Sequence, residues 1–146
     1  MTTLNINTNL ASEYHVLSML YRLGFNAFLT LGNKKSVDII IDHDGETITV
    51  DVKGLQGTTN FPIDNWTKID NKHFLIFVSF LNEIQNTALV PEVYVVPSTR
   101  INEKFPELNG ASMVYENPKK NRKVVQLSRL RKLKGEFLNK WELLNA

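Results

Sequence analysis

Two carboxylates and an amine lie within one short stretch, Ser36 to Gln56. Asp38 sits inside the apolar run Val37-Asp38-Ile39-Ile40-Ile41, and Asp51 and Lys53 close the run Thr47-Ile48-Thr49-Val50-Asp51-Val52-Lys53. Burying such charges is costly unless they pair or bind a metal. Carboxylates are hard-oxygen ligands suited to Mg²⁺ or Mn²⁺. An ammonium beside them orients a water or offsets negative charge as it develops. Asp38 and Asp51, with the backbone carbonyl of Val52 as a third oxygen, are therefore candidate ligands, and Lys53 is the candidate for the water. Glu13, upstream, is placed to reach a second ion or a water that an ion holds.

Geometry must bring these groups together, and the local pattern supplies it. Both runs are rich in β-branched residues and read as strands. Asp42-His43-Asp44-Gly45 reads as the turn between them, making a hairpin. Side chains alternate along a strand, so Asp51 and Lys53 share one face and Val50 and Val52 the other. Pairing that carries Asp38 to the same end of the sheet gathers the charges. Thr8 or Asn9 is expected to cap a helix running to about Leu23, with Val16, Leu17, Leu20 and Leu23 as its core stripe, Glu13 near its N-terminus and Gly24 as its stop.

The remaining elements follow in order. Phe25 to Thr30 reads as a strand, and Leu31 to Lys35 as a polar loop. Gly54 to Asn60 reads as an irregular loop beside the site. Asn65 to Asn71 is ambiguous between loop and one helical turn. His73 to Phe80, almost unbroken in its apolarity, is expected at the sheet's centre, covered on both faces. Glu92 to Val96 is a further strand between prolines. Ser98 is expected to cap a short helix through about Phe105, Ala111 to Glu116 to form a weak strand, and Val124 onward to form one or two helices broken near Gly135. Trp66 and Trp141 are expected as core or interface aromatics. The fold class is α/β, a mixed central sheet flanked by helices.

At 146 residues the chain has the length of one domain. No apolar run approaches the ~20 residues of a membrane span. The N-terminus lacks the basic and apolar regions of a secretory signal, and there is no cysteine, so a cytoplasmic protein without disulfides is expected. A net charge of +2 does not by itself imply a polyanionic partner. Its distribution says more: Lys119, Lys120, Arg122, Lys123, Arg129, Arg131, Lys132 and Lys134 crowd the last third, a basic helical region from about 119. That region reads as a solvated helix face or as a phosphate-contacting surface. Among its residues Arg122 and Lys123, with Lys34 and Lys35, sit in expected loops where a nucleic-acid backbone can approach. The three histidines, His15, His43 and His73, have no metal-ligand spacing and read as surface or strand-end residues. No Walker loop, dinucleotide glycine pattern or serine nucleophile elbow is present.

The order Ser12-Glu13-Tyr14 on a helix, Val37-Asp38-Ile39 at a strand start and Asp51-Val52-Lys53 on the next strand resembles the PD-(D/E)xK nuclease superfamily, which includes restriction endonucleases and Holliday-junction resolvases. The resemblance runs from about residue 8 to residue 80. Ser36-Val37 stands where a proline would precede the first aspartate, and Gln56 resembles the glutamine that some branches carry after the lysine. The resemblance implies a restriction-endonuclease-like fold and Mg²⁺- or Mn²⁺-dependent hydrolysis of DNA. It implies Asp38, Asp51, the Val52 carbonyl and Glu13 around the metal, Lys53 as catalytic amine and Gln56 beside the substrate. Phosphodiester hydrolysis needs these types: a divalent ion lowers the pKa of a water and clamps phosphate oxygens, and an amine offsets transition-state charge. Taken singly, Asp51 and Lys53 read as a surface pair worth under ~1 kcal/mol, Asp38 as a solvated strand end and Glu13 as a helix N-terminal charge. Taken together, on these elements, the metal site is the stronger reading. The competing one is a non-catalytic nuclease-fold module, an immunity or regulatory protein for instance. A third is a plain nucleic-acid binder. A domain this small leaves specificity to a homodimer or a protein partner, with an apolar edge strand or the Trp141 helix as the contact.

Overall fold

The computed structural model describes residues 4–31, 37–64 and 68–145. Lys34, Lys35 and Trp66, the expected loop from 32 onward and the 65–67 part of the ambiguous stretch lie outside them.

A first helix, α1 (Thr8–Arg22), precedes a five-stranded sheet of order β1-β2-β3-β5-β6. Its strands are β1 (Asn26–Leu29), β2 (Ile39–His43), β3 (Glu46–Leu55), β5 (His73–Ser79) and β6 (Glu92–Pro97). β3 and β5 run parallel and the other neighbours antiparallel, so the sheet is mixed, as expected. A second sheet, of order β4-β8-β7, is made by β4 (Asn60–Pro62), β7 (Val114–Asn117) and β8 (Arg122–Gln126). Short helices α2 (Leu127–Lys132) and α3 (Lys134–Phe137) and a 3₁₀ turn at Trp141–Asn145 end the chain.

Several boundaries move, each for a local reason. The cap of α1 is Asn7, whose Oδ1 accepts from the Leu10 amide at 3.0 Å, rather than Thr8 or Asn9. Gly24, at φ +87°, ends the helix as the sequence indicated. Asp44 and Gly45 both take positive φ between His43 and Glu46, the two-residue turn whose twist suits a tight hairpin. β5 is buried throughout but is not the central strand; β3 is, with two strands on either side. Ser98 starts a 3₁₀ turn without capping it, because its hydroxyl bonds Asp70. The basic region from 119 is not helical at its start, since Arg122 and Lys123 open β8, while the two expected helices do break near Gly135, at Leu133. Trp141 is half-buried against the core, on a 3₁₀ turn rather than an α-helix. Among the described residues no helix is long and apolar enough to cross a membrane.

The central sheet divides two cores. α1 covers one face, where Val16 and Leu20 meet Ile39, Ile41, Val50, Ile76 and Val95. The small sheet and the C-terminal helices cover the other, where Phe61, Val125, Leu130 and Phe137 meet Leu75, Phe77 and Tyr94. Alternation along β3 therefore sends Val50 and Val52 toward α1 and Asp51 and Lys53 toward the small sheet.

A polar tie closes the second core. Glu92 accepts from the Tyr94 hydroxyl at 2.6 Å and from Arg131 at 2.7 and 3.0 Å. The Arg131 bond holds the Glu92 carboxyl below its ordinary pKa; burial opposes this and the Tyr94 bond adds to it. A depressed folded value stabilises the fold above the unfolded pKa of ~4.3 and is lost as pH falls through the folded one. Glu92→Ala orphans the hydroxyl of Tyr94, a residue 1% exposed, and is expected to cost about 1–3 kcal/mol. Urea unfolding at neutral pH will show it as a lower midpoint with an unchanged slope, and the variant's stability will fall less steeply with acid than the parent's.

Candidate active site

The site forms where β3 outruns its neighbour. β2 pairs only with Glu46–Val50, so residues 51–55 present an edge that β2 does not cover. An uncovered strand edge needs a partner for its amides, and Asp38 supplies one. Just before β2 begins, its amide donates to the Val50 carbonyl at 3.0 Å and its Oδ2 accepts from the Val52 amide at 2.8 Å. The N–H and C=O of one strand residue point to the same side, so the Val52 carbonyl also faces this edge.

The N-terminal half of α1 closes over the opening through a close helix–strand approach. At Gly54 a Cβ would collide with Ser12 Oγ and lie 3.1 Å from the Thr8 carbonyl oxygen. Ser12 itself folds back, donating to that carbonyl at 2.7 Å. Glu13, the next residue, is 5% exposed and occupies the same stripe as Val16, Leu17 and Leu20. The first turn of α1 holds no acidic residue, so Glu13 is not a helix-end charge as its sequence position suggested. It is a carboxylate at a core-facing position, where the burial cost demands a compensating interaction.

The result is a cleft of 470 Å³ lined by Asn9, Glu13, Asp38, Val52, Lys53, Gly54 and Pro62. Glu13, Asp38, Val52 and Lys53 come together there from α1, the start of β2 and β3. Asp51 is not among the lining residues. Its Oδ2 lies 3.3 Å from Nε2 of His73, whose Nδ1 is 2.7 Å from the Thr49 hydroxyl. His73 is fully buried, and the parallel register sets it beside Thr49 on the strand that carries Asp51. It is therefore a strand-end histidine, as expected, but a buried one rather than a surface one. No sequence signal marks the contact, because a parallel pairing across a long connection leaves no local trace. Among the described residues no group of three or more His, Cys, Asp or Glu side chains forms a metal-holding set.

Gln56, Arg122 and Lys123 are not among the residues that line the cleft. Gln56 donates through Nε2 to the Thr8 hydroxyl at 2.9 Å, tying the end of β3 to α1. Arg122 binds Asp64 at 3.2 and 3.3 Å, and the Lys123 amide donates to the same carboxylate at 2.8 Å. Of the basic residues further on, Arg129 donates to the Ser112 and Val114 carbonyls and Arg131 is taken up by Glu92.

No protein-family model matches this sequence, and no curated protein matches it. Among solved structures, a bacterial homing endonuclease, I-Ssp6803I, matches at 22% identity and a TM-score of 0.41, over 62% of this chain and 63% of that one. The match thus spans less than two thirds of the length of that protein.

Proposed function

We propose that this chain is an endonuclease-like hydrolase of DNA phosphodiester bonds that depends on a divalent cation. The observation carrying the reading is the meeting of Glu13, Asp38, Val52 and Lys53, from three elements, in one 470 Å³ cleft. Glu13, Asp38 and the Val52 carbonyl are the oxygens that would hold Mg²⁺ or Mn²⁺. Such a set fits, because Mg²⁺ is commonly bound through one or two carboxylates and keeps several waters. When bound, the ion supplies Lewis acidity and lowers the pKa of water. Lys53 orients the attacking water and offsets charge on the phosphate as the bond breaks. Asp38 also fixes the β3 edge through Val52, which holds the carbonyl and Lys53 in register. Asp51 meets His73 through Oδ2, so Oδ1 is the oxygen it would offer to the ion.

Single-turnover assays on plasmid, branched and single-stranded DNA with Mg²⁺ and Mn²⁺ test the proposal. Absence of cleavage on all of them counts against it.

The engagement of Asp51 by His73, with no gathered set of three ligands among the described residues, favours a second reading: a nuclease-fold interaction module without catalysis. Calorimetric titration with Mn²⁺ separates the two. The hydrolase is expected to bind Mn²⁺, and Asp38→Asn and Glu13→Gln to abolish binding. Asp38→Asn keeps an acceptor for the Val52 amide while removing the charge, so its loss of binding reports ligation rather than unfolding. No binding by the parent chain supports the inert module.

A further inference from the structure

The small sheet buries one face and turns the other outward. Phe61 and Val125 point into the core, so by alternation and register Asn60, Pro62, Val124, Tyr115, Asn117 and Arg122 share the outer face. That face is concave. Asn60, Pro62, Tyr115, Asn117, Lys120, Arg122 and Val124 line a hollow of 230 Å³, with an apolar middle between polar ends. Pro62 lines both this hollow and the carboxylate cleft, so the two adjoin at that residue.

We propose that this outer face of the β4-β8-β7 sheet reads base edges in the major groove of duplex DNA, setting the sequence preference of the hydrolase proposed above, on which reading it rests. The antiparallel β7–β8 pair makes a two-stranded ribbon of the kind that a major groove about 12 Å across admits, with β4 along its flank. The side-chain types match base edges: Arg for guanine, Asn for adenine and an apolar surface for the thymine methyl. Asp64 takes two of the hydrogen bonds of Arg122. A guanidinium with its charge already offset is poorly suited to a phosphate, yet it keeps donors for a base and is held in one orientation. Lys119 and Lys120, exposed in the turn between β7 and β8, carry the charge that suits the phosphates beside the groove. Single-stranded nucleic acid is disfavoured, because such ligands stack on aromatic platforms and, among the described residues, Tyr115 is the one aromatic lining the hollow.

The test is selection from a library of random-sequence duplexes, in EDTA, followed by sequencing. The parent chain is expected to enrich a motif. Asn60→Ala and Asn117→Ala are each expected to lose at least about ten-fold discrimination at one base pair and to bind unselected duplex within about two-fold of the parent. Lys120→Ala is expected to weaken binding to all duplexes alike and to lower the salt slope by about one. Should either alanine variant fail to fold by circular dichroism, Asn60→Ser or Asn117→Ser, neutral and too short for the paired contact to adenine, repeats the measurement. No motif from the parent, the same motif at undiminished strength from the variants, or equal competition by single-stranded DNA overturns the proposal. Binding is read without metal or cleavage, so the two ideas fail separately: a motif without cleavage sinks the hydrolase alone, and cleavage without a motif sinks this surface alone.

Discussion

Lys53→Ala is expected to lower single-turnover DNA cleavage by about 10²–10³-fold, the scale seen when one preorganised charge-stabilising donor is removed. Lys53 is a half-buried side chain on the rim of the cleft rather than a core residue, so unfolding free energy should change by only about 0.5 kcal/mol. The separation of the two effects makes the experiment decisive. A contaminating nuclease would be indifferent to the substitution, and a structural lysine would alter the melting point before the rate. Lys53→Arg is expected not to restore the rate, because a planar fork does not replace a compact ammonium. Undiminished cleavage by Lys53→Ala removes the catalytic role.

The second large effect is expected at Gly54→Ala. The added methyl would meet Ser12 Oγ and Cβ and the Thr8 carbonyl oxygen, backbone included, so α1 must move away from β3. Overpacking of this kind costs about 1–3 kcal/mol, which thermal unfolding will show as a loss of several degrees. Activity should suffer more than stability, because the displaced turn carries Glu13 into the cleft, and misplacement by about 1 Å costs up to ~10²-fold. A double-mutant cycle assigns the cause. In a Ser12→Gly background the Gly54→Ala penalty is expected to shrink by at least about 1 kcal/mol. An unchanged penalty would mean that the helix–strand contact is not what Gly54 protects.

Asp38 and Glu13 show how differently two carboxylates advertise themselves. Asp38 interrupts an apolar strand sequence, an anomaly visible along the chain, and the structure gives it a purpose as the acceptor for an uncovered Val52 amide. Glu13 sits at the start of an amphipathic helix, where acidic residues are common. Only its spacing from Val16, Leu17 and Leu20 hints that it faces inward, and that hint becomes meaningful once the stripe is known to be buried. His73 and Asp51 lie further beyond reach, since their contact depends on which strand lies beside β3.

Local periodicity and turn chemistry were enough to determine α1, the β2–β3 hairpin and the strands β5 and β6, because alternation, capping and positive-φ residues act within a few positions. They also determined that Asp51 and Lys53 share one side of β3. Of the second sheet only β7 shows in the sequence, as the weak strand at Ala111 to Glu116; β4 is three residues long and β8 opens with Arg122 and Lys123 in a stretch that reads as basic and helical, so their pairing was decided by tertiary structure. The same holds for the cleft, where Glu13 and Asp38 meet Lys53 because α1 is drawn onto Gly54 and because β2 stops short of the end of β3. Contacts between distant segments depend on which packing buries the most apolar surface without stranding a polar group, and that is a property of the whole fold.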